Sequence, residues 1–171
     1  MTNEEYIKTF LAIVTAVDNH NHTKDVDPIL IASIGLVESH YDSGAKSSKG
    51  AMGIFQFTNI AIKHIGQMGY VFNPSNVKES AIAAEIYFSY LLKNTHSVEE
   101  ALIAWNMGIT STMRLELGNK NIDYKNIADM MNNGVCRESA NFVIKVMKAY
   151  NKLQEIYSDF KDKTIWWIKN Y

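Results

Sequence analysis

The chain has little cysteine and no strong excess of charge, and each shortage excludes a class of protein. Its 171 residues include one cysteine, Cys136, so an intramolecular disulfide and a cysteine-based metal motif are both excluded. The formal net charge is -1, and the 17 basic residues are scattered along the sequence. Without a basic patch, nucleic acid is not an expected partner.

Long apolar runs are also missing where a membrane protein would need them. The apolar stretch from Phe10 to Val17 is far shorter than the roughly 20 residues that span a bilayer. The first residues, Met1 to Tyr6, are acidic, whereas a secretory signal begins with a basic region. We therefore expect no membrane insertion and no signal peptide. The aromatic tail Thr164 to Ile168 is expected to pack back on the domain.

What is present predicts a single helical domain over residues 1–171. A hydrophobic content of 47% suffices for one core and is too small for two comfortable ones. No stretch alternates long enough to indicate a sheet, although Gly53 to Thr58 is a candidate short extended segment. Ser75 and Ser97 are predicted helix caps, the latter with Glu100 in a capping box. Apolar spacing predicts helices over Glu4 to Asn19, Pro28 to His40 with Asp27 as N-cap, Asn59 to Met68, Ser75 to Lys93, Val98 to Met107, Tyr124 to Asn132 and Glu138 to Tyr157.

Glu38 is distinctive because it continues an apolar stripe. Leu30, Ile34 and Glu38 lie four residues apart and so share one helix face. A charged carboxylate on a buried face costs several kcal/mol, so the pKa of Glu38 is expected to rise. A carboxyl that stays protonated near neutral pH is what general acid catalysis requires. On this observation alone, a structural role explains Glu38 equally well.

Three further motifs follow Glu38 in a fixed order. The pair Glu38-Ser39 is followed by a serine- and glycine-rich stretch from Ser47 to Gln56, then by Ala104 to Gly108 and by Glu138 to Val143. The glycines and serines predict a tight, backbone-exposed turn over Asp42 to Gly53. Together the four motifs resemble those of the soluble-type lytic transglycosylases, within the lysozyme-like superfamily. The resemblance extends over residues 28 to 150.

The resemblance implies a mainly α, lysozyme-like single domain with a substrate cleft between helical groups. It implies that Glu38 is the single catalytic acid and base, and it implies no cofactor and no metal. Trp105 and Phe142 stand where the family usually has tyrosines, so we expect no hydroxyl from those positions to orient Glu38. The resemblance also implies a set of substrate-binding residues: Ser47, Phe55, Gln56, Trp105, Asn106 and Glu138. In this set the rings of Phe55 and Trp105 are expected to face the sugars.

The implied reaction is cleavage of peptidoglycan glycan strands without water. Glu38 would protonate the bond between N-acetylmuramic acid and N-acetylglucosamine, then take the proton of the muramic C6 hydroxyl as a 1,6-anhydro ring closes. Glycosidases usually employ two carboxylates, and the sequence offers one convincing candidate. The alternatives are a hydrolytic muramidase, with Asp42 or another acid as base, and a non-catalytic peptidoglycan-binding module.

Two further expectations concern location and metal binding. Peptidoglycan lies outside the cytoplasm and no signal is visible, so we expect delivery as a bacteriophage virion component or phage lysis enzyme, or by a leader cleaved before this numbering. The loop residues Asp18, His20, His22, Asp25 and Asp27 are of zinc-binding type. A solvated polar connector is the favoured interpretation, because no rigid helix fixes their geometry.

Overall fold

The computed structural model describes residues 1–20 and 25–170, with side chains described up to Asp159. Within these ranges the chain is helical and has no named strand, only isolated β-bridges from Lys46 to Met52 and from Met52 to Phe57. The prediction of a mainly α domain is confirmed. The helices are α1 (Asn3–His20), α2 (Pro28–Ser39), α3 (Asn59–Gln67), α4 (Val77–Lys93), α5 (Val98–Met107), α6 (Ile109–Met113), a 3-10 helix (Leu117–Asn119), α7 (Ile127–Asn132) and α8 (Arg137–Asn170).

Two of the predicted caps are confirmed by their hydrogen bonds. The Asp27 carboxylate accepts from the backbone N–H of Ile29 at 2.8 Å, with Pro28 in the first helical position of α2. The Ser97 hydroxyl accepts from the N–H of Glu100 at 3.1 Å, and α5 has the predicted bounds. Polar side chains at these positions satisfy N–H groups that have no partner within the helix.

The predicted start of α4 is wrong by two residues. Asn76, not Ser75, is the N-cap, because the Asn76 side chain accepts from the N–H of Glu79 at 3.0 Å. Ser75 belongs to the preceding turn, where its own N–H donates to the Asn73 side chain at 3.0 Å. A turn closed by an Asn side chain therefore precedes the helix.

The region after α5 differs from prediction at two helix boundaries and in two short helices. α7 begins at Ile127 rather than Tyr124, and α8 continues beyond Tyr157 to Asn170. The short α6 and the 3-10 helix were not predicted. α6 follows α5 directly because Gly108, at φ 92°, changes the chain direction in one residue, a conformation suited to glycine. The predicted packing of Thr164 to Ile168 lies outside the described side chains.

α2 lies at the centre of the domain. It packs against α1, α4 and α8, and α5 packs against α4, α6 and α8. A side chain at Gly35 would place its Cβ 2.7 Å from the Ile54 side chain, so glycine lets the segment between α2 and α3 lie directly on α2. None of the helices in the described ranges is both long and apolar enough to span a membrane.

Candidate active site

Glu38 lies in the last turn of α2, on the face that carries Leu30 and Ile34. Those two side chains are buried and Glu38 is partly buried, as its place on the stripe predicts. The helix ends directly after Ser39, where His40 and Tyr41 both take positive φ values of 55° and 64°. This turn follows Glu38 directly, and Glu38 lies at the edge of the core, where it is partly buried.

The segment between α2 and α3, residues 40–58, is fastened to the end of α2. The Ser39 hydroxyl donates to the carbonyl of Ile54 at 2.8 Å, and the N–H of Gly53 donates to the carbonyl of Ala45 at 2.8 Å. Gly53 has φ 73°, and a Cβ there would lie 2.0 Å from the carbonyl oxygen of Pro74. The predicted tight turn is confirmed, and at Gly53 it leaves room for no other residue.

Trp105 of α5 provides a hydrogen bond that the sequence did not predict. Its indole Nε1–H donates to Oε1 of Glu38 at 3.0 Å. The expectation that no hydroxyl at this position orients Glu38 holds, but an N–H donor takes that place. The sequence did indicate that the Trp105 N–H needs an acceptor, since a buried indole usually finds one. It did not indicate the direction of the ring, and therefore not which acceptor is used.

The electrostatic surroundings of Glu38 favour the protonated carboxyl. Burial raises its pKa from the ordinary value of 4.5 to about 7, the hydrogen bond from Trp105 opposes this rise, and the nearby charge of Glu138 adds to it. Burial disfavours the ionised form because the carboxylate loses its hydration. Near neutral pH both the acid and the carboxylate are therefore populated.

Three other predicted polar residues, Ser47, Gln56 and Asn106, make hydrogen bonds within the protein. The Ser47 hydroxyl accepts from the N–H of Ala51 at 3.0 Å. The Gln56 side chain donates to the carbonyl of Gly53 at 2.9 Å, and Asn106 accepts from the Ser139 hydroxyl at 2.6 Å. A substrate contact from each of these residues remains a prediction.

The prediction that Phe55 offers a ring face to a sugar is wrong. Phe55 is 1% exposed, because it packs beneath α2 next to Gly35. Its ring instead supports Trp105, with ring centroids 6.5 Å apart. Phe142 is also buried. Glu138, by contrast, is exposed at the start of α8, and its charge raises the pKa of Glu38.

Several of the residues considered as a hydrolytic base or as zinc ligands make hydrogen bonds or close contacts within the protein. Asp42 is exposed, and its carboxylate accepts from the N–H of Gly44 at 2.8 Å. Asp27 caps α2, and the His20 ring lies 2.8 Å from the Glu85 carboxylate. His22 lies outside the described residues. In the part of the chain that is described, no group of three or more side chains is arranged to hold a metal ion.

Comparisons with known proteins identify the fold and the family of the chain. The chain resembles the structure of an inactive glutamate-to-glutamine mutant of the lytic transglycosylase Slt from Pseudomonas aeruginosa, with a TM-score of 0.62 and 17% sequence identity. The match covers 84% of this chain and 24% of that protein, and it shows that the fold is the same lysozyme-like one. The Transglycosylase SLT domain family matches residues 16–128, about two thirds of the chain. The chain belongs to the Transglycosylase SLT domain family.

Proposed function

We propose that this domain is a peptidoglycan lytic transglycosylase in which Glu38 acts first as acid and then as base. The bond cleaved is the β-1,4 linkage between N-acetylmuramic acid and N-acetylglucosamine, and the product ends in 1,6-anhydromuramic acid. The observation that carries the proposal is the state of Glu38, a partly buried carboxyl whose pKa is raised to about 7. It stands at a helix end in a chain of the transglycosylase family.

A pKa near 7 suits a group that must give up a proton and then take one back. The protonated form donates to the glycosidic oxygen, and the bond to the muramic C1 breaks with the electron pair going to that oxygen. The Glu38 carboxylate then accepts the proton of the C6 hydroxyl, while the oxygen of that hydroxyl forms a bond to C1 and closes the anhydro ring. General acid–base groups work best with a pKa close to the working pH, and the tethered hydroxyl replaces a bound water.

The solved relative supports the need for a glutamate. The Pseudomonas protein is described as inactive after one glutamate is replaced by glutamine. We propose that Glu38 has the corresponding importance in this chain. Ser47, Gln56, Asn106 and Glu138 are proposed to contact the glycan from the region around it.

A muramidase is the second candidate, and one observation favours it. Hydrolysis needs a carboxylate that activates water, and the charge of Glu138 does reach Glu38. Asp42 is a poorer base, because its carboxylate caps the turn at Gly44. A non-catalytic peptidoglycan-binding module is the third candidate, and the raised pKa of Glu38 speaks against it, since binding alone does not need a protonated acid.

Mass spectrometry of digested cell-wall sacculi separates the three candidates. The transglycosylase produces fragments that end in anhydromuramic acid, which are one water, about 18 Da, lighter than hydrolytic products. Fragments with reducing ends alone would establish the muramidase in its place. Binding to sacculi with no soluble product would establish the binding module.

Peptidoglycan is the proposed partner, and the site of action is the cell wall. Delivery by a bacteriophage, as a virion component or an endolysin, is proposed on the sequence alone. Detection of the protein in purified phage particles tests the virion route. A longer coding sequence with a basic and apolar leader would argue against the virion route.

A further inference from the structure

We propose that Trp105 is a positioning residue for Glu38, which acts through its indole N–H and not as a stacking surface for sugars. This inference rests on the proposed function, because it assigns a role within the same site. Trp105 lies on α5 and Glu38 on α2, 67 residues apart in sequence, and the hydrogen bond between them measures 3.0 Å. It joins two helices that reach the site from different parts of the chain.

The indole ring is held on several sides by other aromatic rings. Ring centroids lie 5.4 Å from Tyr87, 5.7 Å from Phe57, 6.4 Å from Phe88 and 6.5 Å from Phe55. All four contacts are tilted or edge-on, the arrangement that aromatic pairs prefer over a face-to-face sandwich. A ring fixed in this way directs its single N–H donor at one point, and that point is Oε1 of Glu38.

The same surroundings argue against a sugar-stacking role. A stacking platform presents a free face to its ligand, whereas the Trp105 side chain is partly buried and its ring is in contact with rings from two different segments. Phe55 and Phe57 come from the segment between α2 and α3, and Tyr87 and Phe88 come from α4. The segment that closes over the end of α2 thereby also sets the direction of the hydrogen bond to Glu38.

The hydrogen bond has an electrostatic consequence that a stacking role would not have. An N–H aimed at a carboxylate favours the ionised form, so Trp105 lowers the pKa of Glu38, against burial and the charge of Glu138 from α8, which both raise it. The bond therefore stabilises the carboxylate that remains after the first proton transfer. It also fixes which oxygen is left free to face the glycan, and misplacement by about 1 Å costs on the order of 100-fold in rate.

The test replaces only the N–H. Site-specific incorporation of 3-benzothienylalanine at position 105 substitutes a sulfur atom for the indole N–H and keeps the ring size. The pKa of Glu38 is then measured without substrate, from the carboxyl 13C resonance of labelled protein across pH. We expect a pKa above that of the wild type, together with a drop in kcat on the order of 100-fold on soluble glycan strands and little change in KM.

Three results would overturn the positioning role. They are an unchanged pKa of Glu38, a lowered pKa, and an increase in KM at constant kcat. A lowered pKa would mean that the ring only shields Glu38 from water, and a higher KM would mean that it binds sugar. Trp105→Tyr, which restores a donor on a shorter ring, should recover part of kcat, and Trp105→Phe should not.

A control variant and the absence of substrate from the titration make the result specific to the positioning role. Phe72→Leu alters the same aromatic cluster through Phe57, 5.1 Å away, without touching Trp105, and should leave the pKa of Glu38 as it is. The titration needs no substrate, so it remains valid even if the product analysis rejects the transglycosylase reaction. Failure of the positioning role and failure of the proposed function are therefore separate results.

Discussion

Two glutamates in this molecule, Glu38 and Glu100, lie in low-polarity surroundings with very different sets of partners. Glu100 is the more buried, at 4% exposed. It accepts from the His96 backbone N–H at 3.2 Å and from the Tyr124 hydroxyl at 3.3 Å, and the His96 ring lies 3.1 Å away. Glu38 accepts, among the described residues, one hydrogen bond from the neutral indole of Trp105.

The difference supports the proposal that Glu38 is a reactive carboxyl and Glu100 a structural one. Glu100 ties the start of α5 to Tyr124, and its oxygens are occupied by donors from the protein. Among the described residues Glu38 accepts no second hydrogen bond, and the charge of Glu138, which raises its pKa, is of the same sign. A carboxyl held with so few donors is poorly stabilised as an anion and remains available to a substrate. Burial alone would have selected Glu100 in place of Glu38.

The largest expected effect is on activity. Glu38→Gln removes the transferable proton and should reduce the release of soluble fragments from sacculi by about 100- to 10,000-fold. Glu100→Gln, assayed below its unfolding temperature, should stay within a few-fold of wild type. Comparable activity of the Glu38 variant and the wild type would remove Glu38 from the mechanism.

The next effect tests the loop on which the Glu38 site is built. Gly53→Ala should lower the free energy of unfolding by about 3 kcal/mol or more, because it adds a clash with Pro74 to the strain of a positive φ. Gly50 has φ 83° with no atom near its missing Cβ, so Gly50→Ala should cost only the strain, about 1–2 kcal/mol. Urea denaturation measures both, and equal losses would show that the Pro74 contact relaxes freely.

The third effect is on the free energy of unfolding of Glu38→Gln, which should differ from that of the wild type in a pH-dependent way. The pKa of Glu38 is higher in the folded state, about 7, than the ordinary value of 4.5, so ionisation destabilises the fold as pH rises through this window. Glu38→Gln should therefore be more stable than wild type at pH 8, by no more than about 3 kcal/mol, and nearly equal at pH 4.

Glu100→Gln provides the opposite case in the same denaturation experiment. Its neighbours lose a charged acceptor, so the variant should be less stable than wild type at pH 8, by about 1–3 kcal/mol. If both variants are destabilised at pH 8, the contrast between the two carboxyls is contradicted.

The smallest effect comes from Glu138. Glu138→Gln removes a negative charge that raises the pKa of Glu38, so the loss of activity on the alkaline side should move to lower pH. The shift should shrink with added salt, because Glu138 is exposed and its charge is screened. Glu116→Gln, another exposed glutamate, is the matched control. A shift to higher pH would contradict the proposed electrostatics.

The sequence predicted those features that depend on neighbours along the chain. Apolar spacing placed Glu38 on the buried face of α2, and the Ser97 cap gave α5 its correct start. The sequence did not predict in which direction side chains point within the folded domain. Phe55 lies under α2 and the Trp105 N–H points at Glu38 because of contacts between segments far apart in sequence, which no local pattern encodes.

Boundaries failed where two local signals compete. Ser75 and Asn76 are both good caps, and the Asn73 turn determined which of them was used. α6 was missed because its five residues are too few to show a helical period.

The most direct test of the central claim is the titration of Glu38 in the wild-type protein. Its carboxyl 13C resonance, identified by its disappearance in Glu38→Gln, should shift with a midpoint near pH 7, as expected from a pKa of about 7. A midpoint near the ordinary value of 4.5 would mean that Glu38 is ionised at neutral pH. It would then have no proton to donate, and the account of the site would be wrong.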